Sequence, residues 1–530
     1  MSLISHYRFK GTAERAGQRG MALTIRDSIR RHRDLEAHDH AAMAEGLEKN
    51  QSDNTPSPIL QRAMADSKSN NWTLLQLLCI LSCVTFAYTV FHPQKLADFF
   101  STKPARGSSF ASAELATAHK ILKENPLIDG HNDLLILIRA LYNNHIYHSN
   151  FTKSFEQGGF TGHFDLPRAD AGQLGGSFWS AWIPCPPHAF DFSDANYAPY
   201  VRATLDQIDL FKRLGARYPK YFTLSTSAAE AEANFEAGKL ISPLAIEGLH
   251  QIGNSIATLR LYHELGVRYA TLNWNCHNLY TDAAVVSIHG VSQRSKPYWY
   301  GVSLLGRRLI LEMNRLGMLV DLSHVSPDTM RDVLGGNKTS SEEKYQWEGS
   351  LAPPIFSHSS VYNICPHPRN VPDDILHLVK TRNSLVMINF APEFISCKED
   401  PSSETGLPEY VDEANTIDQV VSHITYIGDL IGYDHVGLGS DFDGIPSTPR
   451  GLESVADYPK LIGLLLKKGV SEEDCAKVAG RNLLRVWHEV DKVKENLEKE
   501  GLEPLEDDIG SRIGSTSVRS EKGGVELNYH

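Results

Sequence analysis

Three histidines and three carboxylates occupy comparable places in this chain, each at the end of a short apolar run. His131 and Asp133 follow PLIDG (126–130) with His-x-Asp spacing. At strand periodicity both side chains leave the backbone on one side, where they can grip one cation. Glu247 ends LISPLAIE (240–247), His324 follows MLVDLS (318–323), His358 follows PPIFS (353–357), and Asp441 lies just past HVGLGS (435–440). Imidazole and carboxylate are the ligands of catalytic zinc sites, and two ions held about 4 Å apart need a shared anionic bridge, for which Glu247 is the candidate. The chain has 23 histidines, and one alone at a strand end is ordinarily a satisfied core or surface group. Grouped carboxylates differ, because burying them together is costly unless a cation neutralises them.

What must position these residues is a repeated grammar: a helical segment, a glycine where the helix would stop, then a short apolar run ending in polar residues. Leu305, Leu309, Met313 and Leu316 recur at helical spacing before Gly317 and MLVDLSH. Asn254–Leu265 with Gly266 repeats the pattern, and Gly432 precedes a third copy. With GGSFWSAWI (175–183), VRYATLNW (267–274) and SLVMINF (384–390), the apolar runs number about eight. Eight buried strands alternating with helices favour a closed (β/α)8 TIM-type barrel, with an open doubly wound sheet as the structural alternative. A barrel gathers reactive side chains at the carboxyl ends of its strands.

The rest of the chain bounds the setting. Its 530 residues suit one large barrel with appended segments, and a net charge of −12 without a clustered basic face argues against a nucleic-acid partner. Residues 1–71 are polar, without the periodicity of a packed core, and are expected to be a disordered tail. Residues 72–91 carry no charge over about twenty positions, enough for a transmembrane signal-anchor helix. A stem (92–112), a catalytic barrel domain (113–495) and a second polar tail (496–530) complete the expected organisation. Lysine and arginine are similarly sparse on both sides of the span, so charge does not set its orientation. The glycosylation acceptors at Asn150 and Asn337, and the cysteines downstream, point to an exoplasmic or lumenal catalytic domain.

Several longer motifs carry a family resemblance: IDGHNDL (128–134), AIEG (245–248), GMLVDLSHVS (317–326), FSHSS (356–360), RNVPDD (369–374) and GSDFDG (439–444). Together they resemble the membrane (renal) dipeptidase family of the amidohydrolase superfamily over about residues 115–490. The resemblance implies a (β/α)8 barrel with two zinc ions, one on His131 and Asp133, the other on His324 and His358, with Glu247 between them. It implies that Arg369 pairs with the free carboxylate of a dipeptide, a role suited to a planar guanidinium. Asp441 is then the proton-handling carboxylate and Asp443 a structural one. It also implies two disulfides, Cys185–Cys276 and Cys365–Cys397, leaving Cys79, Cys83 and Cys475 unpaired.

The expected reaction is hydrolysis of a dipeptide by a hydroxide bridging the two ions, with Asp441 passing the proton to the leaving amine. The partners expected are the dipeptide, the membrane through residues 72–91, and a second copy of the chain in a homodimer. One departure stands out. Where the family has a substrate-contacting histidine in a Thr-His-x-Cys context, this chain reads Asn273-Trp274-Asn275-Cys276. Trp274 offers one neutral N–H and cannot carry a proton, so His277 is a candidate to take over by loop geometry. Two rival functions stay open on sequence: another metal amidohydrolase acting on N-acyl amino acids or lactams, and a membrane-tethered scaffold without turnover.

Overall fold

Alternation of inward and outward residues on each apolar run builds this fold. The computed structural model describes residues 110–507, apart from Ala189, His289 and 336–346. The expected span at 72–91, the polar tail before it, most of the stem, the chain after Asp507, and Asn337 lie outside the described residues. Among the described residues no helix is long and apolar enough to cross a membrane.

Eight parallel strands close into a barrel: β1 (Leu127–Asn132), β2 (Leu174–Ser180), β3 (Leu244–Glu247), β4 (Val267–Thr271), β5 (Leu319–Asp321), β6 (Ile355–Phe356), β7 (Leu385–Ile388) and β8 (Val436–Leu438). Each neighbours the next in sequence, and β8 pairs with β1. Six fall inside the runs read from the sequence, β1 runs two residues past its run and β2 begins one residue before its own, and the open-sheet alternative is excluded. Two short antiparallel hairpins, one of them Val285–Ile288 with Val291–Arg294, are added on loops.

Period-two alternation divides the apolar residues into two clusters. Ile128, Phe178, Ala245, Tyr269, Leu319, Ile355, Leu385 and Met387 fill the barrel interior together with Trp487 of the last helix. Their neighbours Leu127, Trp179, Ile246, Ala270, Val320, Phe356 and Val386 face the surrounding helices. The interior is therefore a packed plug, and a ligand can enter only at the carboxyl rim. Helix stops follow the expected glycines: Leu304–Leu316 ends on Gly317 at φ 73°, a left-handed conformation in which glycine pays no Cβ penalty.

The domain edges differ from expectation. The helix Phe110–Glu124 begins just before residue 113, and the last helix, Asn482–Lys499, runs past Glu495. Beyond it the Leu505 N–H donates to Glu312 at 3.1 Å, and Asp507 accepts the Ile256 N–H at 2.9 Å at the start of helix Ile256–Glu264. These contacts use backbone groups and carboxylates, which is why a polar composition concealed them.

Candidate metal centre

Strand ends deliver the six residues to one rim. His131 lies within β1 and Asp133 just beyond it, Glu247 is the last residue of β3, and His324, His358 and Asp441 follow β5, β6 and β8. His131 Nε2 is 3.1 Å from Asp133 Oδ2 and 3.4 Å from Glu247 Oε2. The other Glu247 oxygen, Oε1, is 2.8 Å from His324 Nε2 and 3.4 Å from His358 Nε2. Glu247 thus divides the cluster into two half-sites, each facing one of its oxygens.

Hydrogen bonds on the far side of each ring orient the imidazoles. His131 Nδ1 is 2.6 Å from the Tyr269 hydroxyl, His358 Nδ1 is 2.7 Å from Ser357 Oγ, and His324 Nδ1 is 3.0 Å from Asn275 Oδ1. The Asn275 amide oxygen only accepts, so His324 donates from Nδ1 and turns the lone pair of Nε2 inward. Burial lowers His324 to about 3 and holds His358 well below the ordinary histidine value, so both rings are neutral. Their Nε2 atoms nevertheless face each other at 3.0 Å. Burial alone would lower His131 as well, but Tyr269 and the carboxylates of Asp133 and Glu247 outweigh it and hold the ring well above its usual value. Converging lone pairs and anions in a buried space are the donor set of a cation; among the described residues three overlapping triads in this cluster have that geometry, as does a separate group of Cys185, His250 and Cys276. The separate group is not a metal site, because its two cysteines are joined to each other.

Asp441 stands between the two half-sites, grouped with His131 of one and His358 of the other. Its Oδ2 accepts from Asn389 Nδ2 at 2.9 Å. Burial, reinforced by the charges of Asp133 and Glu247, lifts its pKa to about 7, in the range useful for proton exchange at neutrality. Asp443 serves the loop instead: it accepts the His163 N–H at 2.5 Å and returns its own N–H to His163 Nδ1 at 2.9 Å.

Arg369, which without the family pattern reads as a surface residue, is 1% exposed. Its guanidinium makes two long contacts, Nη1 to Ser359 Oγ at 3.4 Å and Nη2 to the His358 carbonyl at 3.2 Å, while buried Nε has no partner. Burial lowers its pKa to about 10, which leaves it cationic at pH 7. Phe394 lies under it, with Cζ 5.2 Å from the ring centroid.

A cavity of about 430 Å³ opens over the cluster, lined by Asp133, Glu247, His324 and Asp441 and by apolar residues that include Ile136, Leu137, Trp182, Trp274 and Phe394. Trp274 is placed at the cavity as expected. His277 is not: it is buried, 2.9 Å from Asp282 through Nδ1, and absent from the cavity wall. Asp282 also accepts the N–H groups of Tyr298, Trp299 and Gly301, so the pair ties down a loop instead of facing substrate.

Sequence reasoning missed the supports beneath the ligands. Asp129 accepts from Ser440 N–H at 2.8 Å, Ser440 Oγ at 2.5 Å and the Tyr458 hydroxyl at 2.8 Å. Asp321 accepts from Thr271 Oγ1 and Ser357 Oγ, both at 2.5 Å. The available signal was an aspartate two or three residues before a ligand histidine, in IDGH and DLSH. Both implied disulfides are present, Cys185–Cys276 and Cys365–Cys397; Cys475 is free and buried.

A closed barrel with a buried, cation-demanding cluster at its carboxyl rim has the architecture of a metal-dependent barrel enzyme. The membrane dipeptidase family (peptidase family M19) matches residues 115–501, and the chain belongs to that family of peptide-bond hydrolases. It is 43% identical over 392 residues to dipeptidase aclJ of Aspergillus oryzae, covering 74% of this chain and 83% of that one. An uncharacterized dipeptidase of Schizosaccharomyces pombe is 41% identical over 397 residues, covering 74% and 87%. Among solved structures, a metallo peptidase from Rhodobacter sphaeroides liganded with a phosphinate mimic of the dipeptide L-Ala-D-Ala superposes with a TM-score of 0.54 at 26% identity, over 69% of this chain and 99% of that one.

Proposed function

We propose that this protein is a zinc-dependent dipeptidase that cleaves dipeptides bearing a free C-terminal carboxylate. The observation that carries the reading is Arg369: a buried cation with an unpartnered Nε, bonded to the carbonyl of His358 in the metal-type cluster and stacked on Phe394, which lines a cavity of substrate size. Its planar fork matches a carboxylate, and the dipeptide mimic bound by the Rhodobacter sphaeroides peptidase supports the same substrate class.

His131 and Asp133 would hold one ion, His324 and His358 the other, with Glu247 shared. Two zinc ions there supply Lewis acidity, making water a nucleophile near neutral pH and polarising the scissile carbonyl. Arg369 fixes the substrate by its carboxylate, so that the peptide bond lies over the cluster. Asp441, held by Asn389, takes the proton of the attacking water on a carboxylate oxygen and returns it to the leaving amine. Trp274 lines the cavity and can donate only its indole N–H.

Comparing Xaa-Gly with Xaa-Gly-amide tests the reading. A charge-assisted pair contributes about 1.5–3 kcal/mol, so the amide should lose roughly ten- to a hundredfold in kcat/KM. Equal rates would remove Arg369 from this role, and hydrolysis confined to N-acyl amino acids would favour the rival amidohydrolase.

The wider setting is part of the proposal: residues 72–91 anchor the chain, the catalytic domain is exoplasmic or lumenal, and Asn150 carries a glycan. Asn150 is exposed in the first turn of helix Ser149–Gln157. A mobility shift on endoglycosidase treatment, abolished by Asn150→Gln together with Asn337→Gln, is the expected result.

A further inference from the structure

Part of the cavity wall is aromatic, with Trp182, Trp274 and Phe394 on it. Around the barrel the strands follow the order β1, β8, β7, β6, β5, β4, β3, β2. Arg369 and Phe394 stand on the segments after β6 and β7, whereas Trp182 and Trp274 stand on those after β2 and β4. Trp182 thus stands four strands round the barrel from Arg369, and both tryptophans stand three strands from Phe394. Both tryptophans line the cavity, their rings packed edge to face with centroids 4.9 Å apart. The Trp274 centroid is 6.3 Å from that of His324.

This wall is held in place. The Cys185–Cys276 disulfide joins the two segments, three residues after Trp182 and two after Trp274. The Gln207 side chain donates to the Trp182 carbonyl. A dipeptide with its carboxylate on Arg369 and its scissile carbonyl over the ligand cluster must send its N-terminal residue toward the far side, onto these indole faces.

From this geometry we infer that Trp182 and Trp274 form the specificity wall for the N-terminal residue of the dipeptide, selecting large apolar or aromatic side chains over small ones. The inference rests on the dipeptidase reading above. A flat ring on the indole faces gains contact area and a favourable ring geometry, which a methyl group cannot supply. The indole faces repel anions, so an acidic N-terminal side chain gains nothing there to offset its desolvation.

The test uses the full-length, metal-loaded chain with Phe-Gly and Ala-Gly, and with the phosphinate isosteres of both as unhydrolysed probes for calorimetry. The native protein should prefer Phe-Gly by about tenfold or more in kcat/KM, and the Phe isostere by a similar ratio in Kd. Trp182→Ala and Trp274→Ala should each reduce both ratios about tenfold, whereas Trp182→Phe, which keeps an aromatic face and guards against misfolding, should retain most of the preference. Ratios unchanged in all three variants, with both dipeptides still cleaved, would overturn the wall while leaving the dipeptidase reading intact. A shift produced by Leu137→Ala but by neither tryptophan variant would overturn it in favour of the aliphatic side of the cavity. A native protein that neither cleaves the dipeptides nor binds the isosteres would overturn both readings.

Discussion

Replacing Glu247 by glutamine tests the centre at its most informative point. The side chain is 3% exposed, and its two oxygens face different half-sites, with His131 Nε2 at 3.4 Å from Oε2 and His324 Nε2 at 2.8 Å from Oε1. Glutamine keeps the size, removes one negative charge, and turns N–H donors toward a place that calls for acceptors. A unit charge acting at 4 Å through an effective dielectric of 20 contributes about 4 kcal/mol, or about a thousandfold in a binding constant. Zinc content after dialysis at buffered free zinc, with chelator competition for affinity, should therefore show the weaker ion lost and the affinity of the other reduced by a factor of that order. Dipeptide hydrolysis should fall with it. The metal-free variant should be less stable than metal-free native protein, because against its burial the contacts with His131, His324 and His358 hold the Glu247 carboxyl well below its usual range, and glutamine forgoes them. A glutamine variant that kept two ions at native affinity would refute the shared-carboxylate argument.

Gly444 permits a close approach: an added Cβ would stand 2.2 Å from Asp133 Oδ2 and 2.7 Å from Asp441 Oδ1. Gly444→Ala must therefore displace a ligand and the proton carrier, and kcat should fall about a hundredfold while the melting temperature changes little. Asp129→Ala leaves the Ser440 and Tyr458 donors buried without an acceptor, and urea denaturation should show a loss of about 3 kcal/mol. Burial depresses His250 and His423 to about 4, so below pH 6.5 the unfolded chain binds protons that the folded chain refuses. Stability is thus full above pH 6.5 and is lost as pH falls toward 4, by about 2–3 kcal/mol per histidine at pH 4.5; His423→Gln should flatten the dependence of the urea midpoint on pH.

The barrel was legible because its strands are buried on both faces, which leaves continuous apolar runs closed by polar residues. The ligands were legible because each run ends at the same rim. Arg369 was not, since its burial arises where the loop after β6 folds over Phe394, a tertiary event without a local pattern. His277 misled for the complementary reason. Its neighbour in sequence, Trp274, lines the cavity, but the chain turns between them and gives His277 to Asp282. Asp129 and Asp321 escaped notice because a buried acid satisfied by hydroxyl and backbone donors looks, in sequence, like any strand-end polar residue.

Further backbone bonds explain how the rim tolerates its own strain. His324, Asp441 and Asp443 all hold φ between 64° and 68°, a left-handed conformation that costs a non-glycine residue roughly 1–3 kcal/mol. Each is pinned by bonds that a relaxed backbone would break. The Asp441 N–H donates to the His131 carbonyl at 3.1 Å, the Ala284 N–H donates to the His324 carbonyl at 2.7 Å, and Asp443 exchanges two bonds with His163. The packed barrel interior below supplies the stability that offsets this cost. The left-handed turns at His324 and Asp441 carry a ligand and the proton carrier just past their strands, and so fix where the two half-sites meet.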